Sequence, residues 1–123
     1  MPSLVGSEMC IRDSNQAVLI NDTLYLSGQI GLNPHSMELV EGGVKKEAEQ
    51  VMKNLKSVLE AAEMNFDQVV KSSIFLSDIA DFGQVNEVYG SYFNNESAPA
   101  RETIAVKTLP KNVRVEISMI AIK

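Results

Sequence analysis

Of the two residue types that most often act as nucleophile, base or metal ligand, the sequence holds one histidine, His35, and one cysteine, Cys10. A lone cysteine excludes a disulfide within the chain, and one of each excludes a Cys/His zinc cluster within a monomer. Any triad that uses histidine would have to use His35. What remains is chemistry by arginine, carboxylates, hydroxyls, backbone groups and water. Two positions stand out on that basis. Arg101 follows Pro99 at the start of an extended run, and a planar guanidinium binds a carboxylate through two parallel charge-assisted hydrogen bonds. Glu116 lies on the opposite strand face from Val115 and Ile117, where a partly enclosed carboxylate can accept a proton from water. Each has a plainer reading too. Arg101 also reads as a surface ion-pair partner of Glu102, and Glu116 as a cross-strand charge opposite Lys107 or near Arg114.

The elements that must position these residues can be read from the pattern. At 123 residues, 45% hydrophobic and 22% charged, the chain has the composition of one globular domain. Residues 1–15 show no clear period and read as an atypical leader, whereas residues 16–123 read as a single domain. Ala17–Ile20 and Thr23–Ser27 are short apolar runs separated by Asn21-Asp22, the signature of a tight hairpin. Val44, Ala48, Val51, Met52, Leu55, Val58, Leu59 and Ala62 form one stripe of a helix about five turns long. Val69–Leu76 is a strand rich in β-branched residues. A second helix, capped by Asp78 or Asp81, carries Phe82, Val85, Tyr89, Tyr92 and Phe93 as its apolar positions and stops before Pro99. Two last strands are expected at about 102–108 and 113–122, flanking Leu109–Asn112. The order predicts an α+β layer, with a mixed sheet carrying both helices on one face.

Strand 113–122 bears on the other face. Val113, Val115, Ile117, Met119 and Ala121 make one apolar side while Ile120 and Ile122 lie opposite. An apolar second face predicts burial against another copy of the chain, or else under the amino-terminal segment. The net charge of −5 argues against a nucleic-acid partner held mainly by phosphate contacts. Apolar runs such as Ile74-Phe75-Leu76 fall far short of the roughly 18 residues a membrane helix needs. The amino-terminal residues lack a secretory pattern, which points to the cytoplasm or an organelle matrix.

Ala98-Pro99-Ala100-Arg101-Glu102-Thr103-Ile104-Ala105-Val106, then Leu109-Pro110-Lys111, then Val115-Glu116-Ile117, resembles the signature of the Rid (YjgF) family of 2-imino acid deaminases. Ser27-Gly28-Gln29-Ile30, Asn33-Pro34, Asn54-Leu55-Lys56, Val69-Val70-Lys71, Phe75-Leu76-Ser77-Asp78 and Phe82 to Tyr89, with Val85-Asn86-Glu87 inside, also fall in the family's order and spacing. The resemblance implies a chorismate-mutase-like fold assembled as a homotrimer, with clefts between neighbouring subunits. It implies hydrolysis of 2-imino acids or their enamine tautomers to 2-oxo acids and ammonia, without cofactor or metal. Carried over by position, Arg101 binds the substrate carboxylate and Glu116 orients the attacking water. Gly28 lets backbone approach the substrate, Asn86 hydrogen-bonds at the cleft, and Thr103 contacts the carboxylate. One stretch departs from the family. Where members usually have Gly-Pro-Tyr and one further residue, this chain has Arg12-Asp13-Ser14-Asn15, and Ser14 cannot reproduce an aromatic wall. The alternatives are a non-catalytic trimer that binds a small carboxylate, and an endoribonuclease or translation inhibitor.

If Leu109–Asn112 closed a hairpin, Glu116 would oppose Ala105 and lie about 13 Å along the sheet from Arg101, too far for one small substrate. Either the strands pair otherwise, or the two residues meet across a subunit boundary.

Overall fold

The structure, a computed structural model, describes the backbone of residues 8–11 and 14–123 and the side chains of residues 16–123. Its strands are β1 (Glu8–Ile11), β2 (Ser14–Ile20), β3 (Thr23–Gln29), β4 (Val69–Leu76), β5 (Ala100–Ala105) and β6 (Val115–Ile122). Helix α1 (Val44–Ala61) separates β3 from β4, and α2 (Phe82–Gly90) separates β4 from β5. The strands form one mixed sheet in the order β1-β2-β3-β6-β4-β5. Helices α1 and α2 cover one face. The order of elements is the expected one, with β1 added as an antiparallel edge on β2.

Local chemistry accounts for most elements. Asn21 takes a left-handed φ of 53° in the turn that sets Ile20 opposite Thr23, a conformation asparagine tolerates better than most residues. All eight residues of the predicted stripe of α1 are buried. The helix ends where Glu63 turns left-handed at φ 60° and Met64 N–H returns to Leu59 O at 2.9 Å. Met64 thereby joins Leu59 in the core. Asp78 does cap a turn, accepting from Ala80 N–H at the short 3-10 segment Ile79–Asp81 that leads into α2. Asp81 makes no capping bond.

The hairpin across Leu109–Asn112 does not form. Strand β4 lies between β5 and β6, parallel to β5 with Ser72 opposite Arg101, and antiparallel to β6 with Phe75 opposite Glu116. The reason is the helix: β4, α2 and β5 make a strand–helix–strand crossover, the connection parallel neighbours require. The segment Pro110–Asn112, with Lys111 and Asn112 left-handed, then returns the chain to β6. Strand β5 is also shorter than the expected 102–108, because its last bond to β4 is Val106 N–H to Leu76 O at 2.8 Å, where β4 ends.

One buried charge pins the start of β6. Glu47 shares the apolar side of α1 and is wholly buried. Its Oε1 accepts the Arg114 backbone N–H at 2.9 Å and its Oε2 accepts Arg114 Nη1 at 2.6 Å. Glu47→Ala removes both acceptors and orphans a backbone donor, so it should cost about 2–3 kcal/mol and lower the melting temperature by roughly 5–10 °C. Thermal denaturation followed by circular dichroism checks this.

Among the described residues the sheet face away from the helices is apolar and open. Ile20, Tyr25, Ile104 and Ile122 are 45–53% exposed on it, and Val18, Phe75 and Ile120 are half-buried among them. Among the described residues no helix is long and apolar enough to cross a membrane.

Candidate active site

Arg101 sits on the edge strand, on the side of the sheet that faces α2, because its parallel register places it beside buried Ser72. Its guanidinium donates through Nη1 to Asn86 Oδ1 on α2. The guanidinium carbon lies 5.6 Å from the Phe82 ring centroid and 5.4 Å from that of Tyr89. Strand alternation sends the next residue to the opposite face, where Glu102 meets Lys71 Nζ at 3.0 Å and accepts from the Ser73 hydroxyl at 3.1 Å. These partners, Lys71 foremost, hold the Glu102 carboxyl below its ordinary pKa. The ion pair between Arg101 and Glu102 is therefore not made. Among the described residues no carboxylate pairs with Arg101, so its charge is available to a ligand.

Thr103 lies on the same side, beside Ile74. Because Val106 N–H points at β4, alternation along a parallel strand turns the amides of Arg101 and Thr103 toward the free edge. A carboxylate held by Arg101 would find the Thr103 N–H within the same edge. Under α2, the hydroxyls of Ser72, Tyr89 and Thr103 are buried and, among the described residues, none completes a hydrogen bond of full geometry. Burial pushes the Tyr89 phenol above its usual pKa, opposed by the adjacent Ser72 hydroxyl and the Arg101 charge.

Glu116 and Gly28 form a second cluster on the other face. Glu116 is half-buried, and desolvation raises its carboxyl above the ordinary carboxylate range. Gly28 falls at a register shift in β3, between the pairs Leu26–Met119 and Gln29–Ile117. A Cβ built on Gly28 would stand 2.6 Å from Glu116 Oε2 and 2.7 Å from its Cδ. Glycine at this position thus leaves room for the Glu116 carboxylate. Gly28→Ala should displace that carboxylate, and a reaction that depends on its position should slow about 10- to 100-fold, the scale of a 1 Å misplacement. The melting temperature should stay within a few degrees, since only the end of a flexible side chain must move. Steady-state kinetics alongside a thermal melt separates the two effects.

Five of the six residues of the expected site thus fall into two groups, with Arg101, Asn86 and Thr103 on one face and Glu116 with Gly28 on the other. Two strand spacings across the sheet, about 10 Å, add to the difference of face. Ser14 contributes its backbone to β2, but its side chain lies outside the described residues. A groove of about 400 Å³ between α1 and α2 is lined by Lys45, Glu49, Lys53, Glu87 and Tyr92 among others, and contains none of the site residues. Phe82 and Tyr89, apolar positions of the second helix in the sequence, both face Arg101, and Tyr89 belongs to the core as well. Their spacing from Asn86, four before and three after, was the signal that they share its face.

Comparison with known proteins matches residues 9–123 to the family model described as endoribonuclease L-PSP, the YjgF/Rid family. The chain belongs to this family. A rat relative named 2-iminobutanoate/2-iminopropanoate deaminase is 50% identical over 109 residues, covering 89% of this chain and 79% of its own. The crystal structure of RidA from an Antarctic Psychrobacter species superposes with a TM-score of 0.87 at 39% identity, over 96% of this chain and 94% of that one. Escherichia coli TdcF, crystallised with bound serine, superposes with a TM-score of 0.84 at 32% identity, over 93% and 91% of the two chains. The α+β fold with two helices on one face of a mixed sheet is the fold of these YjgF/Rid structures.

Proposed function

We propose that the protein hydrolyses 2-imino acids, or their enamine tautomers, to 2-oxo acids and ammonia at sites shared between copies of the chain in a homotrimer. The observation that carries this reading is the Arg101 guanidinium, held at a sheet edge with no carboxylate among the described residues to neutralise it and with the Thr103 amide turned outward beside it. That arrangement suits a planar carboxylate. The name of the rat relative supplies the reaction class, and the serine seen in TdcF is a small molecule with a carboxylate beside an amine-bearing carbon.

In this reading Arg101 and the Thr103 N–H bind the carboxylate and so fix the adjacent electrophilic carbon. A protonated imine is already activated toward attack, so the site must chiefly position a water. Glu116 of a neighbouring copy orients that water and takes its proton. Glu116 returns that proton to the amine nitrogen, and the carbinolamine collapses with loss of ammonia and of the hydroxyl proton, leaving the 2-oxo acid. Supplying Glu116 from a second chain resolves its separation from Arg101. The open apolar face around Ile20, Tyr25, Ile104 and Ile122 is the surface such an assembly would cover.

The experiment couples a serine or threonine dehydratase to this protein and follows imine decay and ammonia release. Acceleration that Arg101→Ala abolishes is expected. Decay unchanged by the protein would refute catalysis, and tight 2-oxo acid binding in that case would select the carboxylate-binding reading. The family description also names an endoribonuclease. The net charge of −5 disfavours RNA, and RNA cleavage that survives Arg101→Ala would favour it.

A further inference from the structure

We propose that Phe82 and Tyr89 are positioning residues for Arg101, and that together with Asn86 they set the direction in which its guanidinium presents donors to a ligand carboxylate. This rests on the reading of Arg101 as the carboxylate-binding group. Phe82, Asn86 and Tyr89 are spaced i, i+4 and i+7 and share one face of α2. Asn86 Oδ1 occupies one of the five guanidinium donors. The two rings, 5.6 and 5.4 Å away, attract the cation through their electron-rich faces and offer it no hydrogen bond. They therefore cover part of the guanidinium while leaving its remaining N–H groups as the route for polar contact.

The two rings differ in what else they do. Tyr89 is 5% exposed, belongs to the core and packs at a tilt against Phe93, the ring centroids 4.8 Å apart. Phe82 is 39% exposed and stands outside the core cluster, so its packing contributes little to the fold and Arg101 is its notable contact. Phe82 is accordingly the clean probe.

The test measures KM and kcat for imine hydrolysis and the Kd for pyruvate, as a 2-oxo acid probe, in wild type, Phe82→Leu and Phe82→Tyr. The same Phe82→Leu change is repeated in an Arg101→Gln background. Phe82→Leu is expected to raise KM and the pyruvate Kd by about 3- to 10-fold, the range of a partly desolvated cation–π contact, with a smaller change in kcat. Phe82→Tyr restores both, because it restores the ring. In the Arg101→Gln background Phe82→Leu should have no further effect on pyruvate binding, since a residue acting through Arg101 loses its influence with it. An unchanged KM in Phe82→Leu, or an equal loss of binding in both backgrounds, overturns the proposal while leaving Arg101's role intact. Wild-type turnover in Arg101→Gln alone would overturn the assignment of Arg101 itself.

Discussion

Arg101→Ala is expected to lower kcat/KM for imine hydrolysis by about 10²- to 10⁴-fold, the loss of two charge-assisted hydrogen bonds to the substrate carboxylate at about 1.5–3 kcal/mol each. Most of the loss should appear in KM and in 2-oxo acid binding. Because the carboxylate anchors the reacting carbon, kcat should fall as well. Arg101→Lys restores only part of the activity, since an ammonium keeps the charge but cannot form the parallel pair or lie flat beside Phe82 and Tyr89. Arg101 is exposed, so the melting temperature of the isolated subunit fold should change little. Steady-state kinetics on the three proteins, with pyruvate titrations, checks each statement.

Glu116→Gln is expected to lower kcat by about 10²-fold or more, the usual scale for a positioned general base. The side chain stays nearly isosteric and keeps an acceptor, so the loss reports the missing charge. The pH dependence carries a further signature. Desolvation raises the Glu116 pKa, and the ionised form is the one that can take a proton from water. Turnover should therefore rise with pH through an apparent pKa above the ordinary carboxylate value, and that limb should vanish in Glu116→Gln. Stability runs the other way. A carboxyl whose folded pKa is raised favours folding below its unfolded pKa, and that contribution is lost as pH rises through the folded value. At neutral pH Glu116→Gln should therefore be no less stable than wild type, which separates a role in turnover from a role in the fold. A pH–rate profile and thermal melts of both proteins decide it.

What the sequence made legible were features with a strong local cause. The β2–β3 turn follows from Asn21-Asp22, and all eight stripe residues of α1 are buried as their period requires. The position of β4 between β5 and β6 was not read. Leu109–Asn112 looks like a hairpin turn by composition, and the competing cue, a helix between two strands, acts through the long-range rule that such strands lie parallel. The same crossover turns Arg101 toward α2 and away from Glu102, so the nearest opposite charge in sequence is not its partner. Glu47 was hidden because a charged residue on an apolar stripe declares itself only once Arg114, distant in sequence, arrives to meet it. Phe82 was hidden for the converse reason. Apolar spacing on a short helix signals core, and only the register of β5 shows that its ring faces Arg101 instead. The separation of Arg101 from Glu116 was anticipated, although from a register that does not exist. Its actual cause is alternation across β4, which places the two on opposite faces.

The central claim is that one site takes Arg101 from one chain and Glu116 from another. The most direct measurement co-expresses Arg101→Ala and Glu116→Ala chains, each inactive alone, and assays the purified mixed oligomer for imine hydrolysis. Shared sites predict recovery of about a third of wild-type activity, because every mixed trimer of such a closed ring holds one intact arginine–glutamate pair among its three sites. Mixed oligomers no more active than the single variants would contradict it.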